Sequence, residues 1–103
     1  MIKWKKLVQR IPARIQLAKD VFFDVLWTDA FPDKRQIGSM DPTTRQIVIK
    51  KGMGNKDTIH TYFHEVIHAI SDIHNVGITE TQVERLEKVL YYIMKSDNMV
   101  KGE

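Results

Sequence analysis

Residues 64–68 read His64-Glu65-Val66-Ile67-His68, which is the H-E-x-x-H pattern. Positions i and i+4 share one face of a helix, so His64 and His68 can close two imidazoles on a single zinc ion. Glu65 lies about 100° round the helix from His64, at ~3.6 residues per turn. From there it can take a proton from a zinc-bound water without binding the ion itself, which makes it the candidate general base. A lone histidine on a helix carries no such reading. Two of them flanking a glutamate on an apolar helix do.

The motif requires a helix, and the segment from about Asp57 to His74 has the pattern of one. Ile59, Tyr62, Phe63, Val66, Ile67, Ala69, Ile70 and Ile73 fall on one broad apolar arc. His60, Thr61, His64, Glu65, His68, Ser71 and Asp72 fall on the other, so the polar stripe must face a cleft or satisfied partners. Asp57 or Asn55 can cap the start, and Asn75-Val76-Gly77 can stop it with Gly77 in a left-handed conformation.

Zinc needs a third protein ligand, with water as the fourth. The chain has no cysteine, so the donor is His, Asp or Glu, most simply from the next helix, about Thr79 to Ser96. Thr79-Glu80-Thr81-Gln82 forms a capping box there. With Val83 at 0°, Glu87 lies at about 40°, Glu80 at about 60° and Glu84 at about 100°. Glu87 thus points into the packed face, where an ionised carboxylate needs a partner. In an antiparallel hairpin turning near Val76-Gly77, the level between His64 and His68 also meets Glu87. Glu87 is therefore the favoured third ligand, with Glu84 and Glu80 as alternatives. Asp72, Tyr91 and His60 are candidates to orient a ligand or stabilise an oxyanion.

One hundred and three residues make one domain, 1–103, with 1–11 and 96–103 expected to fray. The net charge of +3 is mildly basic, and Lys3, Lys5, Lys6, Arg10, Arg14 and Lys19 cluster near the N-terminus. That cluster is a candidate nucleic-acid or acidic-partner contact, and equally a solvated end. No cysteine, no apolar leader and no membrane-length apolar run give the expectation of a cytoplasmic protein without membrane contact.

Val21–Thr28 is rich in β-branched and aromatic residues and reads as a strand. Arg14–Leu17 is a shorter one before a Lys19-Asp20 turn. Gln36–Met40 and Arg45–Lys50 flank Asp41-Pro42-Thr43-Thr44, which is good turn chemistry, and suggest a hairpin. The expected fold is α+β: a small, mostly antiparallel sheet of three to four strands packed on two long C-terminal helices, the first carrying H-E-x-x-H. An exposed sheet edge beside the motif helix would suit an extended peptide.

The stretch Thr61–Ile70 (TYFHEVIHAI), preceded by Arg45–Ile49 and followed by Val83–Glu87, resembles small phage and prophage HExxH metallopeptidases of the SprT-like or ImmA/IrrE-like kind, with a minimal gluzincin-type core. The resemblance covers roughly residues 12–95. It implies a zinc-dependent endopeptidase domain encoded by a phage or mobile element and working in the bacterial cytoplasm on a peptide or protein substrate. It also implies His64 and His68 as ligands, Glu65 as base and a second-helix glutamate as third ligand. The alternative expectation is a zinc-stabilised adaptor that binds a host protein or nucleic acid without catalysis.

Overall fold

The β-rich first half and helical second half of the sequence become two layers. In the computed structural model, which describes residues 3–96, the order is α1 (Trp4–Gln9), β1 (Arg14–Ala18), β2 (Val21–Thr28), β3 (Gly38–Asp41), β4 (Gln46–Lys50), α2 (Asn55–Ile73) and α3 (Glu80–Ser96). The architecture is α+β. The strands form one mixed sheet in the order β1-β2-β4-β3. β1–β2 and β3–β4 are antiparallel, as expected, and the central β2–β4 pair is parallel.

The parallel pair follows from the path of the chain between β2 and β4. After β2 the chain crosses in the loop of residues 29–37 and lays β3 at the far edge. The Asp41 carboxylate then accepts the Thr43 and Thr44 amides at 2.9 and 3.3 Å, and Arg45 takes φ 55°. This tight reversal feeds β4 back into the gap beside β2.

Alternation of period two sends Phe23 and Val25 of β2 and Ile47 and Ile49 of β4 to one face, where all four are buried. Helix α2 covers that face, contributing Ile59, Ile67 and Ala69 to the buried set. Helix α3 packs on α2 alone among the described elements, through the fully buried Val83.

The N-terminal segment contains α1, which packs on α2. Its signal is Trp4, Leu7, Val8 and Ile11, spaced i, i+3, i+4, i+7, which the intervening lysines disguise. Helix α2 starts at Asn55 with Gly54 as its cap and no side-chain cap bond, so neither Asn55 nor Asp57 caps it. Asp57 sits in the first turn instead, where its charge faces the helix dipole. No helix among the described residues is long and apolar enough to cross a membrane.

Candidate metal centre

Helix α2 runs between β3 on one side and α3 on the other, and its polar stripe lies in that gap. The His64 and His68 rings meet edge-on, with centroids 4.9 Å apart. The Glu80 carboxylate spans both: Oε1 lies 2.8 Å from His64 Nε2 and Oε2 lies 3.1 Å from His68 Nε2. Ligand atoms of these three residues all lie within 4.8 Å of one another. Donors at ~2.0–2.2 Å round a tetrahedral zinc stand about 3.3 Å apart. The two nitrogen–oxygen separations are close to that spacing, so the donor set fits such an ion in chemistry and in size.

Glu87 lies on the other side of the imidazoles. Its Oε2 is 3.0 Å from His64 Nδ1 and its Oε1 is 2.9 Å from His60 Nδ1. The inward angle expected for Glu87 is therefore present, but its carboxylate meets the back of the His64 ring. The position facing both Nε2 atoms belongs to Glu80. The reason is the connection between the helices. Asn75 takes φ 51° just beyond α2, and residues 76–79 lead to α3 without regular structure, Gly77 taking φ 62°. The Ile78 amide donates to Ser71 Oγ at 2.8 Å and the Val76 amide to the Ser71 carbonyl at 3.1 Å. The return segment is thus tied at Ser71, about one turn beyond His68, just before α3 begins at Glu80, which a symmetric hairpin does not allow for.

The first turn of α3 is fixed by the expected capping box. The Gln82 amide donates to Thr79 Oγ1 at 3.2 Å, and the Thr79 amide donates to Gln82 Oε1 at 2.9 Å. Glu80 sits inside that box, so its backbone is held although its side chain is 60% exposed. Glu84 is exposed and lies outside the cluster. Asp72 is exposed too, and among the described residues its carboxylate bonds neither imidazole. His60 is tied to Glu87 and lies 6.2 Å from the Trp4 ring, centroid to centroid. The Tyr91 side chain falls outside what the structure describes.

Glu65 is 9% exposed. Burial raises its pKa; the His64 and His68 rings pull the other way, and the Glu80 and Glu87 charges add to the rise. For His64, burial of the ring opposes the charged form. The Glu87 hydrogen bond and the charges of Glu65, Glu80 and Glu87 overcome it, so its pKa is raised. Both ring nitrogens of His64 face carboxylates, which suits an imidazolium. A proton on Nε2 and a metal ion compete for the same lone pair.

A cleft of about 490 Å³ opens beside this cluster. Arg35, Gln36, Ile37 and Gly38 form one wall; His60, Thr61, His64 and Glu65 of α2 form the other. The crossing loop therefore has a second role, since it supplies that wall. Ser71 and Gly38 were missed in the sequence reading. A serine in the last turn of α2 and a glycine opening a strand are their only signals. No protein-family model matches the chain, and neither a curated protein nor a solved structure matches it.

Proposed function

We propose that this domain is a zinc-dependent metallopeptidase in which His64, His68 and Glu80 hold the ion and Glu65 is the general base. The observation that carries the reading is the Glu80 carboxylate facing both Nε2 atoms of the H-E-x-x-H helix, with Glu65 buried beside it at a cleft. Glu80 takes the place that the helix angles alone assign to Glu87. Bound zinc would supply an acidified water and polarise a scissile carbonyl.

The chain's own groups do the rest. Glu65, whose proton affinity burial increases, accepts the proton of the attacking water and passes it to the leaving amine. Glu87 accepts the Nδ1 proton of His64, which fixes the tautomer that leaves Nε2 free for the ion. Strand β3 offers the substrate a backbone. The Lys50 amide donates to the Ile37 carbonyl and Ser39 pairs with Val48, so Gly38 and Met40 aim their backbone groups away from β4. Those groups are free for an extended peptide, apart from the Gly38 carbonyl, which accepts Gln36 Nε2 at 3.1 Å.

The test is a peptide-library screen of zinc-loaded parent and Glu65→Gln proteins. Hydrolysis is expected in the parent and loss of turnover, with zinc retained, in the variant. Equal turnover in the two proteins would refute the mechanism. A parent that holds zinc and cleaves nothing would favour the adaptor reading.

A further inference from the structure

We propose that Gly38 is a positioning residue for the general base: the edge strand rests directly on Glu65 because position 38 carries no side chain. The inference rests on the metallopeptidase reading and adds a residue to it. Gly38 opens β3 and pairs with Ile49. It is not among the described glycines with positive φ, which are Gly52 and Gly77. A glycine in a strand weakens it, and here no backbone conformation calls for one. Close approach is the remaining physical reason, and the distances supply it. A Cβ at position 38 would lie 2.6 Å from Thr61 Cγ2, 2.9 Å from Glu65 Oε2 and 3.2 Å from Glu65 Cγ.

Something must move when that methyl is present, and the neighbours differ in how easily they yield. Thr61 is buried on α2 and β-branched, so its side chain is stiff. The Glu65 carboxylate is the far end of a flexible chain. The part that moves most cheaply is therefore the part placed to do the chemistry. Gly38 sets the depth of Glu65 under the sheet edge, while Glu80, His64 and His68 are not among the nearest neighbours of a Cβ at position 38.

The experiment uses the full chain with zinc added, and reads zinc content, melting temperature and the affinity of acetohydroxamate. That probe chelates a metal through two oxygens and gives its hydroxyl proton to a neighbouring carboxylate. It therefore reports Glu65 without a known substrate. Gly38→Ala is expected to keep its zinc, to melt below the parent and to bind acetohydroxamate roughly tenfold more weakly, the scale of one lost charge-assisted hydrogen bond. Adding Thr61→Ser removes the Cγ2 methyl that the new Cβ meets. The double variant is expected to recover melting temperature but not affinity, and to match Glu65→Gln. Parent-like affinity in Gly38→Ala, or affinity that returns together with melting temperature in the double variant, would overturn the proposal and leave Gly38 a packing residue. Should Gly38→Ala not fold, the double variant carries the test. A parent that holds no zinc would remove the metallopeptidase reading and this inference with it; a parent that holds zinc separates the two.

Discussion

Replacing Glu80 and Glu87 by glutamine, one at a time, tests which carboxylate is the ligand. Glu87 bridges two rings at 2.9 and 3.0 Å from a largely buried position. Glutamine there keeps one acceptor oxygen and therefore one of the two bonds. Loss of a group that orients a ligand costs ~10–100-fold in metal affinity, and the surviving bond puts Glu87→Gln near the lower end. Glu80 is different, because among the described residues its carboxylate alone faces both Nε2 atoms. Structural zinc sites bind with about 10–16 kcal/mol over four ligands, roughly 2.5–4 kcal/mol for each. Losing one such ligand weakens binding by about two to three orders of magnitude, at ~1.4 kcal/mol per tenfold. Competition against a chromophoric zinc chelator at neutral pH measures both variants on one scale. The expected order is parent, then Glu87→Gln, then Glu80→Gln, with a gap of at least tenfold between the last two. If Glu87→Gln loses as much as Glu80→Gln or more, Glu87 is the ligand and the Glu80 contacts are ion pairs of the metal-free protein. If neither variant loses affinity, the donor set is wrong.

Three further outcomes are expected. Ser71→Ala removes the 2.8 Å bond that holds the return segment, which should cost about 1 kcal/mol and lower the melting temperature by ~4–8 °C. Zinc affinity should fall with it, because Glu80 is presented by that segment; unchanged affinity would detach the segment from the site. The metal-free protein should lose stability as pH rises from about 5 to about 8. Glu65 and His64 both have raised pKa values in the folded state, so each binds its proton more readily when folded. Their stabilisation is full at acid pH and is lost upward from the ordinary values of 4.5 and 6.5 respectively. A urea midpoint that rises over this interval would contradict the sign. Zinc at a hundred times its dissociation constant adds ~2.7 kcal/mol, and hydrogen exchange should show that gain first in α3, which among the described elements packs on α2 alone. Protection that rises equally in β2 and β4 without a larger gain in α3 would refute the local linkage.

The parts of the fold set by short-range chemistry were legible from residues alone. Val21–Thr28 was bounded as a strand because its β-branched and aromatic run ends at turn residues. Asp41 announced the reversal between β3 and β4, and Thr79 with Gln82 announced the start of α3. The parallel pairing of β2 with β4 was not legible, since it depends on where a nine-residue loop (29–37) carries the chain. The site split along the same line. His64, Glu65 and His68 share one rigid helix, so their mutual geometry is fixed by periodicity. Glu80 and Glu87 reach it from a second helix whose height depends on residues 76–79. Angles round α3 can be computed from sequence, but its height cannot, and height decides which carboxylate meets which nitrogen.

The three glutamates at the centre are chemically identical, and their surroundings sort them. Glu80 has a side chain 60% exposed in a capped first turn, where an ionised carboxylate costs little to keep and an ion can reach it. Glu87, at 17%, is fixed between two imidazoles, and a group that orients a ring must itself have few alternatives. Glu65 lies deepest, under Gly38, where burial makes it a stronger base than a surface carboxylate. A base that accepts a proton from water and later releases it needs that increase. Exchanging the environments would spoil every role proposed for them. A buried ligand would hold its proton against the metal, and an exposed base would be too weak to take one from water. The depth of each carboxylate is set by a different element: the return segment for Glu80, the α2–α3 contact for Glu87, and the edge strand for Glu65. Each proposed role would therefore depend on a residue outside the H-E-x-x-H motif, and Ser71, Val83 and Gly38 would matter to chemistry that none of them performs.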